Sequence, residues 1–169
     1  MEVELNPVSR ITTGAVGPPG KRVFYLQARK GSELVTLIIE KYHVQSLAIG
    51  LEEFLDELGH RLPDLSEAST DYNSDEMGLE QPLDPRFRVG NIGLGYDEES
   101  DRLVLVARQL DSEGEGSEVV RFWCTRSQLR AMCNWGLEVA GQGRPICGNC
   151  GEPKDAEGHF CPKSNGHKI

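Results

Sequence analysis

Cys147-Gly148-Asn149-Cys150-Gly151, followed by His159-Phe160-Cys161-Pro162, is the stretch of this chain best equipped for chemistry. In Cys-x-x-Cys the two thiolates occupy adjacent corners of a tetrahedron, and glycine after the second permits the tight turn that aims backbone amides at sulfur. His159 and Cys161 complete a Cys3His set for Zn2+. A regular ribbon would repeat Cys-x-x-Cys, but Ser164 stands where that second cysteine would follow Cys161, so the fourth ligand falls to His159. His167 is the alternative fourth ligand. A metal-free redox dithiol at Cys147 and Cys150, or plain packing of the thiols, are the alternative roles. The redox role lacks the preceding strand and following helix that such dithiols use. Four protein ligands leave no position for water, so the expected ion is structural, steadying a zinc-knuckle tail, 141–169, too short to bury a core of its own.

A second candidate lies on a strand. Alternation along 22–30 sets Phe24, Leu26 and Ala28 on one face and Tyr25, Gln27 and Arg29 on the other. Arg108 stands in the same relation to Leu105 and Ala107, so Tyr25, Gln27, Arg29 and Arg108 make a candidate face for an anionic ligand or a partner. The competing reading is a solvated sheet face whose arginines pair with local carboxylates. No catalytic constellation accompanies them. His43 and His60 flank an acidic helix with no nucleophile at readable spacing, and Cys133 lies in an apolar helical stripe where a thiol is core. Gly14-x-x-Gly17-Pro18-Pro19-Gly20 lacks the Gly-Lys-Ser/Thr ending of a phosphate loop.

Strands are expected at 22–30 and 33–40, turning at Gly31-Ser32, and again at 86–97, 102–110 and 118–124, all rich in β-branched and aromatic residues. Val44, Leu47, Ala48, Leu51, Phe54, Leu55 and Leu58 recur at helical steps, with Glu52, Glu53, Asp56 and Glu57 outward. Thr125 and Gln128 have the form of a capping box before the stripe Leu129, Met132, Cys133, Leu137 and Ala140. Segment 61–85, rich in Pro, Ser and acids, reads as a mobile linker.

The two passages share an order of motifs. Gly14-Ala15-Val16-Gly17 precedes Leu26-Gln27-Ala28-Arg29, and Gly90-Asn91-Ile92-Gly93 precedes Leu105-Val106-Ala107-Arg108, each then followed by a strand and a helix. The expected class is α+β: a β-β-β-α unit used twice, about 8–60 and 86–140, within a domain 1–140. Its six main strands are antiparallel, in two meanders related by a pseudo-twofold, each helix covering one sheet face.

Composition, at 38% hydrophobic and 27% charged, excludes a disordered chain, a fibre and a membrane protein. The start of the chain has no cationic-then-apolar leader, and five cysteines are an odd number, so a cytosolic protein with metal-bound or buried thiols is expected. The net charge of -9 is concentrated: between Tyr42 and Pro85 stand eleven acids and one base, against sixteen acids and seventeen bases elsewhere. The remainder is near neutral, so total charge does not exclude a local basic surface.

Phe24-Tyr25-Leu26-Gln27-Ala28-Arg29, Phe87-Arg88-Val89-Gly90 with Leu94-Gly95-Tyr96-Asp97, and Gly143-Arg144-Pro145 before Cys147-x-x-Cys150 with Gly158-His159-x-Cys161-Pro162 and Asn165-Gly166 resemble the uncharacterised bacterial domain-of-unknown-function family 3090 along nearly the whole chain. The resemblance implies a bacterial cytosolic origin. It implies no catalytic residues, because the family carries no assigned activity. Its members' Cys-x-x-Cys and Gly-His-x-Cys-Pro are similar to the four proposed ligands, and their frequent encoding beside histidine-phosphatase-like and kinase-like proteins implies a shared pathway.

The expected function is a non-enzymatic zinc-binding adaptor or regulatory module for a protein partner. An RNA- or ribosome-associated zinc-knuckle factor is the first alternative, although acidity makes a nucleic-acid partner less expected, and an enzyme acting on a small phosphorylated ligand is the second. No membrane partner is expected.

Overall fold

The computed structural model describes residues 2–110 and 117–142. Strands β1 (Glu2–Leu5), β2 (Arg10–Val16), β3 (Val23–Lys30) and β4 (Glu33–Ile39) lead into α1 (Lys41–Arg61). Strands β5 (Pro85–Asp97), β6 (Arg102–Gln109) and β7 (Val119–Cys124) then lead into α2 (Arg126–Gly141). Each triplet β2–β3–β4 and β5–β6–β7 is an antiparallel meander. Gly31, at φ +59°, makes the two-residue turn between Lys30 and Glu33.

The α+β class stands, with a correction to its sheet. The described strands number seven and form one mixed sheet in the order β1-β7-β6-β5-β4-β3-β2. β4 runs parallel to β5, and β1, a short strand its composition does not mark, runs parallel to β7. Parallel neighbours need a crossover, which α1 and the segment after it supply for β4 and β5.

The sheet must also curl. Strands lie about 4.8 Å apart, so seven laid flat would separate β1 from β2 by roughly 29 Å, whereas the chain from Leu5 to Arg10 reaches about 18 Å at most. The connection instead bridges both edges: Val8 N–H donates to Trp123 O at 2.9 Å and Ser9 N–H to Arg29 O at 2.7 Å. The interior is filled by Ile11, Leu26, Ala28, Leu37, Val89, Leu105 and Phe122, all buried, and each large side chain removed from water contributes about 1.5–3 kcal/mol.

The two meanders carry the same register. Leu26 lies opposite Thr13 and Leu37, and Ala28 opposite Ile11 and Val35; Leu105 lies opposite Leu94 and Phe122, and Ala107 opposite Ile92 and Val120. Glu40 follows Leu37 by the same step as Thr125 follows Phe122, and each caps its helix. Thr125 and Gln128 form the expected capping box, while Glu40 N–H donates to His43 Nδ1 at 2.9 Å. The ladders correct the glycine alignment: Gly14 faces Tyr25 and Gly95 faces Val104, so Gly14 corresponds to Gly95 and not to Gly90. Gly90 sits at a register shift, where a Cβ would meet the Leu110 backbone at 2.9 Å.

Two further expectations change. The helices do not cover separate faces: α2 packs on α1 and on β2, where a Cβ at Gly136 would meet Val44 at 2.7 Å and Thr13 at 3.3 Å. Within the expected linker 61–85, the segment 62–84 is tied to the rest of the chain. Apart from a 3-10 turn at Ser74–Glu76 it has no regular structure, and side chains remote in sequence satisfy its backbone. Arg126 donates to Ser66 O, Arg130 to Ala68 O, Ser69 N–H to Ser127 Oγ, Asn134 to Thr70 O and Thr12 Oγ1 to Met77 O.

Candidate functional site

The four zinc-ligand candidates Cys147, Cys150, His159 and Cys161, and the alternative His167, lie outside the described residues. Among the described residues no cluster of three His, Cys, Asp or Glu side chains could hold a metal ion. Cys124 and Cys133 are buried free thiols, each pushed up to about 12, first of all by burial, which makes them inert.

The strand face is present, and it is occupied by the chain itself. Tyr25, Gln27 and Arg29 point outward from β3 beside Arg10, Thr12 and Gly14 of β2, and residues 73–80 lie across them. Gln27 is fully buried and treats Glu80 as a strand neighbour would. Its Oε1 accepts from Glu80 N–H at 2.7 Å, and its Nε2 donates to Glu80 O and to Thr36 Oγ1, each at 3.0 Å. Leu79 fills the space over Gly14, where a Cβ would meet its Cγ at 2.7 Å. The Glu80 carboxylate takes Arg29 through Nε at 3.1 Å and Nη2 at 2.9 Å, and Arg10 Nη1 at 3.3 Å. Arg10 also donates to the carbonyls of Glu76 and Gly78. The reading in which arginines pair with local carboxylates therefore describes Arg29.

The Arg29 hydrogen bonds, more than the neighbouring charges, hold the Glu80 carboxyl below its ordinary value. A carboxylate with a depressed folded-state pKa stabilises the fold above the usual carboxylate range, and that contribution is lost as pH falls through the lower folded value. The thermal midpoint of the wild type should therefore fall more on acidification below about pH 4 than that of Glu80→Gln, which has no such charge to lose. The difference is modest because Glu80 is one-third exposed. Parallel acid profiles would show that the pair contributes nothing.

Arg108 is placed elsewhere. It projects outward from β6, which the strand order separates from β3 by β4 and β5 on one side and by β7, β1 and β2 on the other. Arg29 and Arg108 thus face away from each other across the curled sheet and cannot close on one small anion. Around Arg108 the outer surface carries Gly93 and Gly95 of β5, Val104 and Val106 of β6, and Trp123 of β7. No described atom stands within 4 Å of where a Cβ at Gly93 or Gly95 would be. Arg108 is exposed and has no ion-pair partner among the described residues; Glu2, which feels its charge, is already paired with Arg121 at 2.8 Å.

Sequence reasoning missed two arrangements. An open cavity of about 450 Å³ lies between the end of α1 and residues 65–68, lined by Arg126 and Arg130. Both guanidiniums are committed: Arg126 to Asp101 at 2.9 and 3.2 Å, and Arg130 to Glu52 at 2.7 and 2.9 Å. Burial first, and Asp101 second, push the Tyr96 hydroxyl up to about 12, so it stays a donor to Asp101 at 2.7 Å. The second is an apolar groove of about 400 Å³ between α1 and β5. His43 borders it with both ring nitrogens engaged: Nδ1 accepts from Glu40, which leaves Nε2 to donate to Gly90 O at 3.0 Å. The signal for this groove was Tyr42 and Ile49, apolar residues off the core stripe of α1, 57% and 64% exposed.

No described helix is long and apolar enough to cross a membrane. No curated protein and no solved structure matches the chain significantly. A family model described as "Protein of unknown function (DUF3090)" matches residues 3–161, and with nearly its whole length covered the chain belongs to that family.

Proposed function

We propose that this protein is a non-enzymatic module that binds a protein partner, using the outer face around Arg108 together with a zinc-stabilised tail held by Cys147, Cys150, His159 and Cys161. With it we infer that the chain is one β-β-β-α unit used twice, about 8–60 and 86–140. Three observations support the duplication. The registers match residue for residue, Ile11 with Ile92, Leu26 with Leu105, Ala28 with Ala107 and Val35 with Val120. The helix caps fall at the same step after the third strand of each unit. The parallel junction of β4 with β5 is repeated as β7 with β1, which a half turn about the axis of the curled sheet would produce.

The observation that carries the binding reading is the difference between the two equivalent faces. Residues 73–80 cover the first and neutralise Arg29, while no described segment lies across the second, where Arg108, Val104 and Val106 stand beside Arg121, paired with Glu2, and half-buried Trp123, which donates to Glu4. A surface that combines aromatic and aliphatic area with an arginine lacking an ion-pair partner among the described residues has the composition of an interface core. An RNA partner finds less support: the tail from Gly141 has four bases (Arg144, Lys154, Lys163, Lys168) and three acids (Glu152, Asp155, Glu157), and three thiolates on Zn2+ add about -1. A two-arginine phosphate clamp is disfavoured by the placement of Arg29 and Arg108.

Tagged protein isolated from its native cell, washed at rising salt and treated with nuclease, tests the reading. A stoichiometric polypeptide that survives nuclease is expected. RNA that leaves steeply with salt would replace it with the nucleic-acid reading. A co-purifying small anion, lost in Arg29→Ala and Arg108→Ala, would replace it with the enzyme reading.

A further inference from the structure

The chain carries a template for what covers the second face. On the first, residues 62–84 leave the end of α1 and pass the first turns of α2, held by Arg126, Ser127, Arg130 and Asn134. Tyr72 then stacks edge-on to Trp135, with ring centroids 5.7 Å apart, and the segment reaches the outer face of β2 and β3. Counting from the equivalent caps Glu40 and Thr125, the positions of Arg126, Ser127, Asn134 and Trp135 correspond on α1 to Lys41, Tyr42, Ile49 and Gly50. Of these, Tyr42 and Gly50 line the apolar groove together with Leu47, Phe54, Ile92 and Leu94, and the groove runs onto β5. Gly95, the counterpart of Gly14, meets no described side chain where Gly14 meets Leu79. Tyr42 and Ile49 are exposed where Ser127 and Asn134 hold chain. The second path is thus laid out like the first but is apolar where the first is polar.

We propose that the occupant of this groove is the chain's own segment 143–169. It follows α2 in sequence as 62–84 follows α1, and its 27 residues exceed the 19 that separate Arg61 from Glu80. It would lie along Tyr42 and Ile49 and bring the tail against the Arg108 face. The inference rests on the duplicated unit and needs no bound zinc; it sets the tail beside the Arg108 face, so that a partner there would meet the tail and the face together.

Crosslinking with a short amine-reactive reagent tests it on the purified full-length chain. Lys41 begins α1 next to Tyr42 of the groove, and Lys154, Lys163 and Lys168 lie in the segment, while Lys30 sits at the β3–β4 turn, at the other end of β4, as a control. Mixed isotope-labelled and unlabelled protein separates links within one chain from links between copies. Intrachain links from Lys41 to the tail lysines are expected, with few from Lys30, and Tyr42→Asp with Ile49→Asp should reduce them several-fold. Both substituted side chains are exposed, so an unchanged melting temperature shows that the fold persists. Equal linking to Lys30, links only between copies, or indifference to the double substitution would overturn the inference. Metal content read on the same samples separates it from the zinc reading, since links that persist in metal-free protein would leave the docking intact.

Discussion

Cys150→Ser and Cys161→Ser should each take the protein from about one bound zinc per chain to essentially none. A structural site binds its ion through all four ligands at once, and the apparent free energy of such sites in small zinc-binding peptides is about 10–16 kcal/mol at neutral pH. Replacing a thiolate with a hydroxyl, which stays protonated, removes a charge and a soft donor together. Elemental analysis of protein purified without a metal-affinity tag reads the loss, and protease cleavage within 143–169 should rise with it. His159→Ala should match the cysteine variants while His167→Ala retains the ion; the reverse would exchange the two histidines. Cys124→Ser and Cys133→Ser should keep full zinc, because both thiols are buried and held protonated. Metal loss in Cys124→Ser would mean that the ligand set is wrong.

Gln27→Leu should destabilise the protein by about 2–4 kcal/mol and release residues 73–80 first. Leucine fills much the same volume, so packing changes little, but Glu80 N–H and O and Thr36 Oγ1 lose their partner on a face where water is excluded. Each such orphaned group costs about 1–3 kcal/mol, and part of that cost is recovered if the segment lifts away into water. Denaturant unfolding gives the total, and hydrogen exchange shows where it falls: faster exchange at Glu80 and its neighbours, with little change in β5 to β7. Glu80→Gln should do less, since its backbone bonds to Gln27 persist. Uniform loss of protection in Gln27→Leu would mean that 73–80 is not a separable layer.

Much of the fold was legible because it depends on local pattern. Phe24-Tyr25-Leu26 alternates, Val44 to Leu58 recurs at helical steps, and Thr125 with Gln128 caps a helix, and each appears close to its expected place. What was illegible depends on pairing at a distance. The β1 strand is four residues long and becomes a strand by lying on β7, more than a hundred residues away. Segment 62–84 has the composition of a loose linker, and nothing in it announces that Gln27, Thr12 and Arg10 will complete its hydrogen bonds. Alternation put Tyr25, Gln27 and Arg29 on one side of β3, but Glu80, which takes up Arg29 and covers Gln27, is remote in sequence. Gly90 and Gly14 looked equivalent because both are glycines ahead of Leu-x-Ala-Arg; one answers to the Leu110 backbone and the other to a leucine side chain.

The binding claim is tested most directly by comparing partner recovery by wild type, Arg108→Glu and Glu80→Gln from native cells after nuclease treatment. Arg108→Glu reverses an exposed charge that has no ion-pair partner among the described residues, beside an Arg121 already held by Glu2, and leaves the interior untouched, so it should fold with an unchanged melting temperature and lose the co-purifying polypeptide. Glu80→Gln alters only the covered face and should retain it. Recovery of the same polypeptide at full stoichiometry with Arg108→Glu would contradict the proposed face, and recovery of no polypeptide by the wild type would contradict the adaptor reading itself.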